Sequence, residues 1–180
     1  TTSEELNFLW NYQIKEMYLR YFAWQFVGKE SHEERSWDLV TLKGDVIKKL
    51  RGVDWGRYGL PFPLLFGIIG MIFHFSRDWK RALAVLSLFL ATGLMIILYL
   101  NQYDPQPRER DYSYVGSFFT FSIWIGMGVA ALQEKIKEWL EGVEIAGFIS
   151  IGLTGIIFVL MPITMLTTDF KEHNRDGNYV

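Results

Sequence analysis

Four apolar runs constrain what this chain can fold into. They are LPFPLLFGIIGMIFHFS at 60–76, ALAVLSLFLATGLMIILYL at 82–100, VGSFFTFSIWIGMGVAAL at 115–132 and IAGFISIGLTGIIFVLMPITMLT at 145–167. At about 1.5 Å of rise per helical residue, each run comes close to the ~30 Å of hydrocarbon in a bilayer, the first with little to spare. Burying four nearly uncharged helices on all sides in water would take a much larger protein around them, whereas lipid covers them directly. The expectation is an all-α, polytopic membrane protein whose region 60–167 carries about four transmembrane helices.

Local signals place the ends of these helices. Pro61 and Pro63 suit the start of the first, and Pro162 should bend the last near its end. Arg77-Asp-Trp-Lys-Arg81 is so short that the first two helices must form an antiparallel hairpin. His74, near the end of the first run, reads as an interfacial residue rather than a ligand. Gly116, Gly126, Gly128, Gly147, Gly152 and Gly155 recur within the later runs. Small side chains let helices approach closely in lipid, although glycine is also simply commoner in membrane helices.

Residues 1–59 differ in character. From Glu4 to Gly28 the residues Leu6, Trp10, Ile14, Met17, Tyr21 and Trp24 recur at spacings of three and four, which is helical periodicity. Lys15, Glu16 and Arg20 make this run too polar to span, while its aromatic stripe is too apolar to stand free in water. The pattern predicts an amphipathic, aromatic-rich helix lying at the membrane interface or clamped on the rest of a larger protein. A charged connector over 29–59 follows, with a short helix around Gly44 to Leu50 and a return to the interface at Trp37, Trp55 and Tyr58.

Counting basic residues orients the spans. Arg77, Lys80, Arg81, Lys135 and Lys137 lie on one side, and Arg108, Arg110, Lys171 and Arg175 on the other. Five against four places the two short linkers in the cytoplasm, with the loop 101–114, the tail 168–180 and the N-terminal helix outside.

The loop 101–114, NQYDPQPRERDYSY, is where any chemistry concentrates. Pro105 and Pro107 exclude a helix there. Arg108 and Arg110 suit a phosphate or pyrophosphate headgroup, because guanidinium is permanently charged and pairs bidentately with such oxygens. Glu109 and Asp111 could orient the arginines or act as acid or base, and Tyr103, Tyr112 and Tyr114 could stack on a sugar ring or belong to an aromatic belt. A solvated turn whose charges anchor two helix ends at the headgroups fits the same pattern.

Other classes find less support. The net charge of −2 offers no field for nucleic acid, so no nucleic-acid partner is expected. There is no cysteine, and His32, His74 and His173 are scattered, so neither metal nor cofactor is expected. A transporter or channel would need ionisable groups at mid-membrane, which the four runs almost lack.

Several blocks together carry a family resemblance: YQIK from Tyr12, MYLRYFAWQFVG from Met17, FHFSRD from Phe73, KRALAVL from Lys80, YLNQ from Tyr99, QPRERDYSYVGSFF from Gln106 and HNRDGNY from His173. In these the chain resembles a family of large polytopic bacterial membrane proteins related to the transmembrane protein O-mannosyltransferases, in the GT-C glycosyltransferase superfamily. The connector from about Ser31 to Gly52 departs from the family pattern. The resemblance implies transfer of a sugar, mannose among the candidates, from a polyprenyl-phosphate carrier to a protein hydroxyl on the outer side of the bacterial inner membrane. It assigns Arg108 and Arg110 to the donor phosphate, with Glu109, Asp111 and Tyr112 supporting them. It also implies that the chain is an internal fragment, with the catalytic carboxylate upstream of Thr1 and a soluble domain beyond the tail. Membrane lipids and a lipid-linked sugar are the implied partners. The alternative is a non-catalytic accessory subunit packed on a larger membrane protein complex.

Overall fold

A computed structural model describes residues 2–30, 52–101, 110–141, 143 and 145–173. Among these residues the protein is all-helical, and one isolated antiparallel bridge, Lys29 with Val53, stands outside the helices. The helices are α1 (Thr2–Phe8), a π-helical segment (Leu9–Leu19), α2 (Arg20–Phe26), α3 (Phe62–Arg77), α4 (Trp79–Thr92), α5 (Leu94–Leu100), a 3-10 turn (Asp111–Tyr114), α6 (Val115–Trp139) and α7 (Ala146–His173).

The pairing of α3 with α6 is the tightest in the molecule, and glycine makes it possible. A Cβ on Gly70 would run into Trp124 O, one on Gly128 into Phe66 O, and one on Gly67 into the Phe121 ring. Backbone therefore lies against backbone, an approach that no larger residue allows. Gly116 does the same for α4, since a Cβ there would lie 2.7 Å from Thr92 Cβ. Gly126, Gly147, Gly152 and Gly155, by contrast, have no neighbour within 4 Å among the described residues. Among the described residues, close packing of the kind expected is seen at Gly116 and Gly128.

α4 joins α6 from the side, after a hairpin in which Asp78 caps α4 by accepting a hydrogen bond from Arg81 N at 3.1 Å. The helix α1–π–α2 packs across this unit through an aromatic core. Phe22 lies 4.8 Å from Phe121, Phe26 4.6 Å from Phe121, Tyr18 5.6 Å from Tyr114 and Phe89 5.7 Å from Trp124, measured between ring centroids. Pairs of this kind contribute about 0.5–1.5 kcal/mol each beyond the area they bury. That is how a helix too polar to insert is held to the apolar part of the chain.

Several boundaries depart from the sequence pattern. The run 82–100 is two helices, because the chain breaks at Gly93. α6 continues to Trp139, seven residues past the run 115–132 (139 − 132 = 7), and α7 continues through Pro162 to His173. His74, in the last turn of α3, is buried: it is 6% exposed, and its Nδ1 accepts a hydrogen bond from Trp124 Nε1 at 3.3 Å. A tryptophan on the neighbouring helix satisfies it, which the sequence of its own helix cannot reveal. The predicted short helix around Gly44 to Leu50 lies outside the described residues.

By length and apolarity, two helices can cross a membrane: Trp79–Leu100, across the Gly93 break, and Tyr112–Trp139. α3, at 16 residues, and the stretch Ala146–Ile156 of α7 are apolar but shorter.

Candidate site at the ends of the apolar helices

The site is assembled where α5 ends and α6 begins. Asn101 ends α5 in the left-handed conformation, φ 39° and ψ 54°, which asparagine tolerates better than most residues. Its Oδ1 accepts a hydrogen bond of 2.8 Å from Gln13 Nε2, and Gln13 is buried. On the far side of the loop, Ser113 N donates to Arg110 O at 3.1 Å and the 3-10 turn leads into α6. Tyr114, at 1% exposed, sits in that turn between Tyr18 and Tyr21.

Arg20 lies one turn along from this seam and is buried among aromatic rings. Its guanidinium carbon is 4.7 Å from the Tyr21 centroid and 4.8 Å from that of Trp24. Its Nε donates to Glu16 O at 2.9 Å, and the Glu16 carboxylate is 3.9 Å away. Stacking on two rings suits a planar, weakly hydrated cation and does not suit a lysine. The Tyr18 hydroxyl is buried without a hydrogen bond, and burial pushes its phenol up to about 12. Ser117 lies near enough to temper that shift, yet its own Oγ donates to Tyr114 O at 2.9 Å.

A second polar cluster ties the connector to α7. The Arg57 Nη2 and Nε both reach Asp169 Oδ1, at 2.8 and 3.2 Å, and the Tyr58 hydroxyl donates to Asp169 Oδ2 at 2.9 Å. Burial, and then the hydrogen bond to Asp169, raises the Tyr58 phenol above its ordinary range.

Of the residues assigned from sequence, Arg110 and Tyr112 are described and exposed, and Asp111 opens the 3-10 turn. Arg108 and Glu109 lie outside the described residues. Gln13, Tyr18 and Arg20 had no part in the sequence-based site, and Asn101 entered it only as the first residue of the loop. The signal for Gln13 and Arg20 was present in the polar positions 13, 16 and 20, which interrupt an aromatic stripe at helical spacing. A polar residue on such a stripe is either at its edge or buried with a partner. Among the described residues, no group of three or more His, Asp or Glu is placed to hold a metal ion. No family model, curated protein or solved structure matches this chain.

Proposed function

We propose that this chain is part of a GT-C-like membrane glycosyltransferase. It would move a sugar, mannose among the candidates, from a polyprenyl-phosphate carrier to a protein hydroxyl at the outer face of the bacterial inner membrane. In this reading the chain crosses the bilayer four times, through α3, α4–α5, α6 and α7, with the loop 101–114 and both termini outside. Arg108 and Arg110 hold the donor phosphate, whose charge grows as the sugar leaves and gains most from fixed cationic donors. Glu109, Asp111 and Tyr112 support them.

The observation that carries the reading is the seam at the loop's two ends. There the Gln13–Asn101 hydrogen bond and the Tyr18–Tyr114–Tyr21 ring cluster meet exposed Arg110 and Tyr112, at the ends of two apolar helices. An amphipathic donor with a long hydrocarbon tail and an anionic head needs such a boundary. The membrane part is supported by surface apolarity. Leu83, Leu88, Leu90, Met95 and Leu98 are all exposed along α4–α5, which is opposite to what a soluble core helix shows. Trp79 and Trp139, 58% and 90% exposed, stand at the start of α4 and the end of α6, where Arg77 pairs with Glu134, and Lys80, Arg81, Lys135 and Lys137 are their near neighbours in sequence. This is the composition of a headgroup belt.

The test uses the full-length protein in proteoliposomes with a polyprenyl-phosphate sugar. Arg108→Ala and Arg110→Ala are each expected to slow transfer about 10²-fold. If both variants transfer at the wild-type rate, the assignment is wrong. The chain has no cysteine, so single cysteines test the topology directly. A cysteine at Tyr112 is expected to react with an impermeant maleimide from the outside, one at Trp139 from the inside, and one at Leu88 from neither.

One observation favours an accessory-subunit reading. Of the α7 side chains described, only Ser150 and Thr154 are buried, while Phe148, Ile151, Ile156 and Leu166 are exposed. A larger membrane protein complex could cover that face as readily as lipid. Stoichiometric copurification of such a complex, with no transfer activity, would decide for it.

A further inference from the structure

The π-helical segment poses a question that its neighbours answer. Eleven consecutive π-helical residues are rare, and π-helical turns in proteins frequently occur at functional positions. In an α-helix each residue turns about 100°, so positions 13 and 18 would lie about 140° apart and could not face one neighbour. With i→i+5 hydrogen bonding they come to the same side, and Gln13, Met17 and Tyr18 are the buried residues of the segment.

What Gln13 and Tyr18 reach is a single short helix. Gln13 donates to Asn101, the residue that ends α5. Tyr18 lies against Gly93, the residue at which α5 begins: a Cβ there would sit 2.5 Å from the Tyr18 hydroxyl oxygen and 2.8 Å from Cζ. α5 is only seven residues long, and Gly93, at φ −112° and ψ −89°, separates it from α4. The Tyr18 hydroxyl is spent on this wedge without a hydrogen bond, so the contact is one of shape at a polar cost.

We propose that residues 9–19 form a latch on α5. The π register lets one face of the N-terminal helix hold both ends of a short helix hinged at Gly93, and α5 is free to swing on that hinge when the hold is released. This inference does not depend on sugar transfer, and its test has no activity readout.

Amide hydrogen exchange of the full chain in nanodiscs, read by mass spectrometry, follows peptides covering 94–101 and 80–92 separately. Gln13→Ala is expected to speed exchange in 94–101 about fivefold, the factor set by one net hydrogen bond, and to leave 80–92 unchanged. The second variant is the pair Gln13→Cys with Asn101→Cys, bridged by a short bis-methanethiosulfonate, which reacts nowhere else in a chain without cysteine. Bridging is expected to slow exchange in 94–101 below that of wild type, and reduction to raise it to the level of Gln13→Ala. Equal acceleration of both peptides by Gln13→Ala, or no acceleration, overturns the latch. So does bridging that leaves 94–101 unchanged. If Gln13→Ala does not fold, the bridged and reduced forms of the second variant decide alone.

Discussion

Glycine at position 93 is expected to be required by Tyr18, and a double-mutant cycle can show this by the loss of the penalty when Tyr18 is removed. Gly93 stands at the break between α4 and α5, at φ −112° and ψ −89°, so alanine there gains nothing from helix propensity. Here the new methyl would lie 2.5–2.8 Å from the hydroxyl oxygen, Cζ and Cε2 of Tyr18. Tyr18 is 3% exposed and wedged against Phe22, Phe89 and Tyr114, so it has nowhere to move. Overpacking of this kind costs about 1–3 kcal/mol, so Gly93→Ala is expected to destabilise the protein by that amount. With Tyr18→Ala already present the clash is gone, and Gly93→Ala is expected to lose most of that cost, a coupling within the range found for residues in contact. The assay is reversible unfolding of all four proteins in mixed micelles by SDS titration, followed by circular dichroism. The same sign and size of the Gly93→Ala effect in both backgrounds would refute the account.

Three further outcomes are expected. Tyr18→Phe removes a buried hydroxyl that has no hydrogen bond, so it should leave stability unchanged or raise it by up to about 1 kcal/mol; a clear loss in the same SDS titration would mean that the hydroxyl has a partner. Trp124→Phe strands His74 Nδ1 in the α3–α6 contact and should cost about 1–3 kcal/mol, while Trp139→Phe, at an exposed position, should stay within about 0.5 kcal/mol of wild type. The Tyr58 phenol is raised on folding, so its stabilising contribution is full below the ordinary tyrosine range near 10 and is lost as pH rises through the higher folded value. Unfolding measured from pH 9 to 11 should therefore show a shallower alkaline loss in Tyr58→Phe than in wild type, and an identical slope would remove the Asp169 contact from the explanation.

What could be read from the sequence was whatever the chain states locally. The apolar runs and the prolines at 61 and 63 place α3, α4 and α6 within a few residues of their observed starts. The break at Gly93 was not legible, because ALAVLSLFLATGLMIILYL is apolar on both sides of it and the residue packed against it is a tyrosine 75 positions earlier (93 − 18 = 75). The π register was hidden for a related reason. A stripe read at a period of 3.6 absorbs Met17 and Tyr21 without strain and gives Tyr18 no role. The burial of His74 was hidden because its partner, Trp124, lies on another helix. For the candidate site, the loop's charges drew attention to Arg110 and Tyr112. Buried Gln13 and Arg20, and the exposed Asn101 that Gln13 reaches, acquire meaning only once the N-terminal helix is laid across α5 and α6.

The glycine contact between α3 and α6 also sets a limit on motion. Neither helix can slide along the other by a turn without driving a side chain from the neighbouring turn into the carbonyl that Gly70 or Gly128 now clears. The two helices are keyed like a tongue in its groove and must travel as one piece. Rearrangement in this molecule is left to the parts hung on that keel: the hinged α5, the helix laid across it, and α7, fastened to the connector at Asp169.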